Sequence, residues 1–517
     1  MTGRKLPIGI QSFEKLVDGD YLYIDKTEYI WKLVNEGSIY FLSRPRRFGK
    51  SLLLSTMKAY FEGKKELFAG LRLAEFEQDW TEYPIFYFDF NGQNYKDSDS
   101  LSDVINQHLK KWEEIYGAEN QSESLTIRFK CLIENAHKKT GLGVVVLVDE
   151  YDKPLLESEG ETLENNRALF KGFFGNLKSS DEHLKFVFIT GVTKFGKVSI
   201  FSDLNQLRDI SLTEDYASIC GISQAELETR LKPEIEAMAE KNKISYQECV
   251  ERLRKMYDGY HFFQNAVGVY NPFSLMNALC NKDFKSYWFE TGTPTFLIEK
   301  IRAANYNPQN FTDGVIADAA SISNYRIENA GIIPLFYQTG YLTIKDCDDD
   351  GFYTLKYPNK EVEHAFINAL APEYLNIEVE DTPVNVQKFL HSLRAGKIDD
   401  VLARFKMLFA RLPYSTRNDE TVIEQNFQNV VYIVFMLLGQ FVRVEEHYSH
   451  GRADCVVQTK DFIYLFEFKR DKSADEALAQ IEHKQYDASF AADGRKILKV
   501  GVNFSSDEKN IVEWKVA

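Results

Sequence analysis

At 517 residues the chain is too long for one hydrophobic core, which rarely grows past about 250–300 residues, so more than one domain is expected. A hydrophobic share of 44% with 14% aromatics is ample for large cores and excludes a disordered or low-complexity chain. A net charge of −15 excludes a surface coated with basic residues, but not a local basic groove, because few residues make phosphate contacts. The six cysteines are scattered without CxxC spacing, which predicts reduced thiols rather than a zinc site or a disulfide framework. Met1–Gly9 has no signal-peptide pattern and no apolar run is long enough to span a bilayer, so a cytoplasmic protein without a membrane partner is expected.

The first elements read as an α/β layer. Tyr21–Thr27 is expected as a strand or lead-in. Ser38–Leu42 is a buried strand candidate, followed by Arg44-Pro45-Arg46-Arg47-Phe48-Gly49-Lys50-Ser51 and a run with helical apolar spacing. Strand, Gly-Lys-Ser loop and helix in that order is the setting of a phosphate-binding loop, whose helix N-terminus offers unpaired N–H groups to phosphate oxygens. Lys50 is expected to reach the β- and γ-phosphates of ATP and Ser51 to bind magnesium, with Gly49 at the turn. Arg44 stands where the pattern has its first glycine, and Arg46 and Arg47 are candidates for phosphate contacts. The alternative is a basic loop that contains Gly-Lys-Ser by chance.

Pro84–Phe90 supplies another strand, and Gly143–Val148 reads as a parallel strand buried on both faces, ending in Asp149-Glu150-Tyr151-Asp152. Ligands collect at the carboxyl ends of such strands. Asp149 is therefore a candidate for the magnesium shell and Glu150 for polarising the attacking water; an ordinary strand capped by acids is the bland alternative. Leu184–Ile189 ends in Thr190, which is either a γ-phosphate sensor at a neighbouring strand tip or merely structural. Residues 1–210 are thus expected to form a nucleotide-binding parallel sheet.

Helical spacing dominates residues 211–295, the expected position of a helical lid, interrupted by turn chemistry at Tyr257–Phe262 and Tyr270–Phe273. His261 is read as a packed residue. Residues 296–418 read as mixed and mostly helical. Leu335–Ile344 and Gly351–Tyr357 are expected as strands around a solvated acidic turn at Asp346–Asp350. In 419–517 the expected order is a helix at Val422–Leu438, strands at Phe441–Glu446, Arg452–Gln458 and Phe462–Lys469, a helix at Ala474–Tyr486 and a last strand at Ile497–Phe504. The helix before the last strand is the crossover that parallel pairing needs.

Alternation along Phe462–Lys469 puts Glu467 and Lys469 on one face and Phe466 and Phe468 on the other. Burying an acid and a base beside so much apolar surface is costly without a task, and Asp454 on the preceding strand supplies a second carboxylate. Paired carboxylates suit a hard divalent ion and a lysine beside it can position water. The arrangement resembles a PD-(D/E)xK nuclease core. Twelve Lys and Arg against sixteen Asp and Glu over Glu420–Ala517 weigh against a basic nucleic-acid cradle.

Taken together, RPRRFGKS, VDEYDKP, FSDLN, YDGYHF, YNPFS, WFETGTP, YQTGY and GRAD…EFK resemble a bacterial family that joins an AAA-ATPase-like domain to a C-terminal PD-(D/E)xK nuclease-like domain, over almost the whole chain. The resemblance implies a P-loop NTPase sheet with a helical lid, a mostly helical middle region and a restriction-endonuclease-like α/β domain. It implies ATP and Mg2+ as cofactors, DNA or RNA as partner, and a nucleotide-dependent homo-oligomer. By the same resemblance Asp454, Glu467 and the carbonyl of Phe468 hold the metal, Lys469 orients water, Gln480 is the glutamine of the following helix, and Glu424 is the acid of the first helix. Two functions follow: an ATP-regulated phosphodiester hydrolase, or a nucleotide-dependent switch whose C-terminal domain docks a partner without cutting.

Overall fold

Uninterrupted β-branched and aromatic runs set the first sheet. In a computed structural model of the chain, which describes residues 4–118, 124–194, 200–202, 204–264, 266–291, 295–304, 306–323, 331–412, 420–439, 443–446, 454–490 and 493–517, β1 (Ile39–Ser43) and β3 (Val144–Asp149) are buried along their whole length. Side chains of residues 290, 291, 420–426 and 443–446 are outside that description. With β2 (Ile85–Asp89), β4 (Leu184–Gly191) and β5 (Arg208–Asp209) they form a parallel sheet of order β2-β3-β4-β1-β5. This order inserts β4 between β1 and β3, so Thr190 at the tip of β4 stands between the Gly-Lys-Ser loop and Asp149.

The segment 211–288 is helical at Gln224–Arg230, Lys232–Asn242, Tyr246–Tyr257 and Pro272–Asn281, around a core that includes Leu227, Leu231, Leu253 and Leu275. A short antiparallel pair, β6 (Ile222–Ser223) and β7 (Val269–Tyr270), ties it together. A three-stranded sheet of order β8-β10-β9 follows, from β8 (Val315–Ala317), β9 (Thr343–Cys347) and β10 (Tyr353–Lys356). Two stretches depart from the expected pattern: Tyr21–Thr27 takes the lead-in option rather than a strand, and Leu335–Ile344 is strand only at its end. Tyr21–Thr27 has only a bridge from Tyr21 to Lys5, and Thr27 begins a helix that runs to Glu36. Of the strand expected at Leu335–Ile344, Thr343 and Ile344 open β9 and the first five residues lie in a helix, Ile332–Thr339. Pro334 is tolerated in its first turn, where no helical N–H partner is lost, and Gly340 ends it at φ 91°.

Two compact units result: residues 1–288 with 313–361, and residues 289–312 with 362–517. The second unit packs helices Lys360–Leu375, Asp381–Arg394, Ile398–Arg411 and Glu420–Gly439 with a five-stranded sheet. Its strands are β11 (Arg443–Glu446), β12 (Cys455–Gln458), β13 (Phe462–Arg470), β14 (Lys496–Ser505) and β15 (Asn510–Val516), in that order across the sheet. β13 and β14 pair in parallel through the helix Ala474–His483, which stops short of the expected Tyr486. β15 was not anticipated; it pairs antiparallel with β14. Among the described residues no helix is long and apolar enough to cross a membrane.

Candidate functional site

Two clusters of charged side chains form, one in each unit. In the first, the β1 strand exits into the loop Arg44–Gly49, and Gly49 caps the helix Lys50–Phe61 at φ 90°, a left-handed conformation that glycine adopts without steric cost. No side chain caps this helix, so its first N–H groups remain unclaimed by a capping residue. Lys50 is only 4% exposed; its Nζ donates to the carbonyls of Arg44 at 3.0 Å and Pro45 at 3.2 Å, inside the curl of the loop. Ser51, half-buried, lies in the first turn. Arg46 is exposed, whereas Arg47 stacks over the Phe273 ring at 3.9 Å and donates to the Tyr287 carbonyl at 3.5 Å.

The acids gather opposite. Asp149 is buried and its Oδ1 accepts a hydrogen bond from Thr190 Oγ1 at 2.8 Å. Glu150 holds a left-handed backbone, φ 50°, a strained conformation for a non-glycine residue. Burial pushes its carboxyl up, and the Lys50 charge pulls it back. The structure therefore brings Lys50, Asp149, Glu150 and Thr190 together around the strand ends. Asp152, passed over as a site residue, is buried here too. It accepts from the backbone N–H of Val192 and Thr193 and from the Thr193 hydroxyl, at 2.6–3.2 Å, fastening the acidic loop to the tip of β4.

Motifs far along the sequence surround the same loop. Phe48 packs edge-on against Tyr260 at 4.8 Å and Phe262 at 5.4 Å. The Trp288 indole N–H donates to the Arg46 carbonyl at 3.5 Å. Gly340 lies so close to Pro45 that an added Cβ would come within 2.7 Å of the proline Cβ. His261 is structural, its backbone N–H donating to Thr343 Oγ1, and burial lowers its ring to about 4.

The second cluster stands on β12 and β13. Phe466 and Phe435 rings lie 5.2 Å apart, and Phe468 and Phe427 rings 5.8 Å, so one face of β13 is laid on the helix Glu420–Gly439. The other face carries Glu467, 1% exposed. The antiparallel register Cys455↔Phe466 places Asp454 opposite Glu467. Asp454 Oδ2 accepts the Phe468 N–H at 2.8 Å. Lys469 Nζ donates to Glu467 Oε1 at 2.9 Å and to Gln480 Oε1 at 2.6 Å, which joins the crossover helix to the strand. Burial, and next the Asp454 charge, push the Glu467 carboxyl up to about 7. Burial also raises Asp454, against the pull of the Phe468 N–H.

Glu467 Oε2 is buried and, among the described residues, has no hydrogen-bond partner. An orphaned carboxylate oxygen beside a second carboxylate is the donor set that a hard divalent cation accepts, so the residues present fit a metal. Among the described residues no group of three or more His, Cys, Asp or Glu side chains is placed to hold a metal ion together, so Asp454 and Glu467 are the carboxylates on offer there. Tyr486, expected as the end of the crossover helix and not singled out for the site, falls beyond that helix and lies beside the Gln480 side chain in the field of Glu467 and Asp454. A lone aromatic in the polar stretch 482–487 was the clue available. The Glu424 side chain lies outside the described residues, as do Gly451–Ala453 of the GRAD motif, Asp203 of FSDLN and 292–294 of WFETGTP.

A parallel sheet with a Gly-Lys-Ser loop at one strand end and an acid at another, in one chain with a mixed sheet bearing an acid–lysine–glutamine cluster, defines a class: an ATPase-like domain joined to a nuclease-like domain. Comparison with known proteins agrees. Residues 7–201 match the family described as predicted AAA-ATPase, and residues 422–514 match the PD-(D/E)XK nuclease superfamily. The chain is also similar to an uncharacterized protein in the vnfD 5' region of Azotobacter chroococcum mcd 1, at 36% identity over 528 residues, covering 100% of this chain and 99% of that one. The chain belongs to the family in which an AAA-ATPase-like domain precedes a PD-(D/E)XK nuclease superfamily domain.

Proposed function

We propose that this protein is an ATP-regulated, Mg2+-dependent phosphodiester hydrolase acting on DNA or RNA in the cytoplasm. The observation that carries the reading is the buried Glu467 carboxylate, with one oxygen held by Lys469 and the other, among the described residues, without a partner. Asp454 and Glu467, with the Phe468 carbonyl, would hold the cation. When bound, it would polarise the phosphodiester and lower the pKa of its water. Lys469, oriented from two sides by Glu467 and Gln480, orients the attacking water and offsets negative charge developing in the transition state.

At the first site, Lys50 would exchange the carbonyls of Arg44 and Pro45 for the β- and γ-phosphates, with Ser51 and Asp149 holding Mg2+. Glu150 polarises water, Thr190 reads the γ-phosphate while bonded to Asp149, and Arg46 and Arg47 add phosphate contacts, Arg47 by leaving the Phe273 face. Six free cysteines suit a reducing compartment. Nucleotide-dependent self-association belongs to the same proposal.

The test is cleavage of varied DNA and RNA substrates with Mg2+ or Mn2+, with and without ATP, by the wild type, Asp454→Ala and Lys50→Ala. Asp454→Ala should lose cutting and keep ATP binding; Lys50→Ala should lose ATP binding and its control over cutting. The acid surplus of the last hundred residues favours the second reading, a switch that docks a partner. Intact substrates under every condition, together with ATP-driven self-association, would replace hydrolase by switch.

A further inference from the structure

Arg44 occupies the position where a phosphate-binding loop ordinarily has glycine, yet its backbone is not left-handed; the left-handed residues of the loop are Arg47 and Gly49. No turn therefore demands a glycine at 44, and the side chain takes on a task instead. It is 1% exposed. Its Nη1 donates to the carbonyls of Ser43 at 2.9 Å and Ser211 at 2.8 Å, and its Nη2 to that of Tyr216 at 3.0 Å. Its guanidinium plane lies 4.0 Å from the Phe262 ring centroid. One planar fork thus joins the end of β1, the segment after β5 and the YDGYHF motif, a set of directions that a flexible ammonium on a longer stem does not reproduce.

We propose that Arg44 is a positioning residue for nucleotide binding, acting through Phe262 and through its own carbonyl. That carbonyl accepts the Lys50 Nζ, so immobilising residue 44 fixes the lysine in the loop. Phe262 also touches Phe48 of the loop, so the same ring braces it at two points. A buried guanidinium whose acceptors are carbonyls neutralises no carboxylate through those bonds, and its charge adds to the field that draws a polyphosphate into the loop. The inference rests on the reading of this loop as the ATP site.

The experiment titrates MgATP into the full-length wild type, Arg44→Lys, Phe262→Leu, their double variant and Lys50→Ala, with a thermal melt of each. Arg44→Lys and Phe262→Leu are each expected to weaken ATP about tenfold with little change in melting temperature. The double variant should be no weaker than the worse single variant, because one device is broken twice. Wild-type affinity in Arg44→Lys and Phe262→Leu, or additive losses, would overturn the positioning role. So would affinity losses that merely follow losses of melting temperature. If Arg44→Lys does not fold, Phe262→Leu decides alone. Wild-type affinity in Lys50→Ala would instead overturn the ATP-site reading itself.

Discussion

The two charged clusters solve the same problem, burying opposite charges beside a sheet, in opposite ways. In the first unit the cation comes from the start of the helix that follows β1 and the acids from the end of β3. Lys50 rests on backbone carbonyls, Asp149 is bonded to a threonine, and β4 lies between β1 and β3. In the second unit acid and base stand two residues apart on β13 and pair directly. A lysine whose partners among the described residues are carbonyls can give them up to a polyphosphate. A site whose lysine already neutralises half of a carboxylate leaves a net negative pair, which takes a cation. Strand topology thus sets the sign of the ligand that each cluster suits.

The sharpest way to break this contrast is Glu467→Ala, expected to lower metal-dependent cleavage at least about 10³-fold while leaving ATP affinity unchanged. Equal cleavage by the variant would remove the second cluster from the reaction. Lys50→Ala should weaken ATP about a hundredfold, the scale for losing a buried charge facing a charged partner, and leave ATP-independent cutting intact. Loss of both activities would show that the clusters are not separable.

A third test uses pH. The folded Glu467 carboxyl, at about 7, lies above its ordinary value of 4.5. Folding therefore favours its protonated form, and that stability is complete below pH 4.5 and is lost as pH rises through 7. In chelator, raising pH from 5 to 8 should cost about 2 kcal/mol, measured by denaturant unfolding. Glu467→Gln should flatten that part of the slope, and Mg2+ should stabilise the wild type more at pH 8 than at pH 5, because the ligand must be deprotonated. A slope unchanged in Glu467→Gln would assign it elsewhere; the buried Glu361 carboxyl of the first unit, also raised to about 7 by burial, is the control.

The smallest effect is expected for Gly340→Ala. Its φ of 91° and the approach to Pro45 predict a loss of about 1–2 kcal/mol and a modest weakening of ATP, with cleavage untouched. A neutral result in melting and ATP titration would show that the loop's outer packing does not matter to its ligand.

Both clusters were partly legible beforehand because each rests on short-range order. Gly-Lys-Ser after a buried strand, and an acid and lysine two residues apart on another, announce themselves through local spacing. The strand expected at Leu335–Ile344 formed only from Thr343, because an apolar run of that length serves a buried helix as well as a strand, and Pro334 and Gly340 mark the helix only once its ends are known. Tyr486 was missed because the helix was expected to run through it, whereas it ends at His483.

The sequence alone determined the element types around both sites, the side chains available there and their alternation, since these follow from hydrophobic period and local backbone chemistry. Only the tertiary structure decided which groups meet. It placed Thr190 on Asp149 and Arg44 under Phe262, and left Glu467 Oε2 without a partner among the described residues. The reason is physical: strand order and register join residues tens to hundreds of positions apart, and burial then fixes what each charge must bond to.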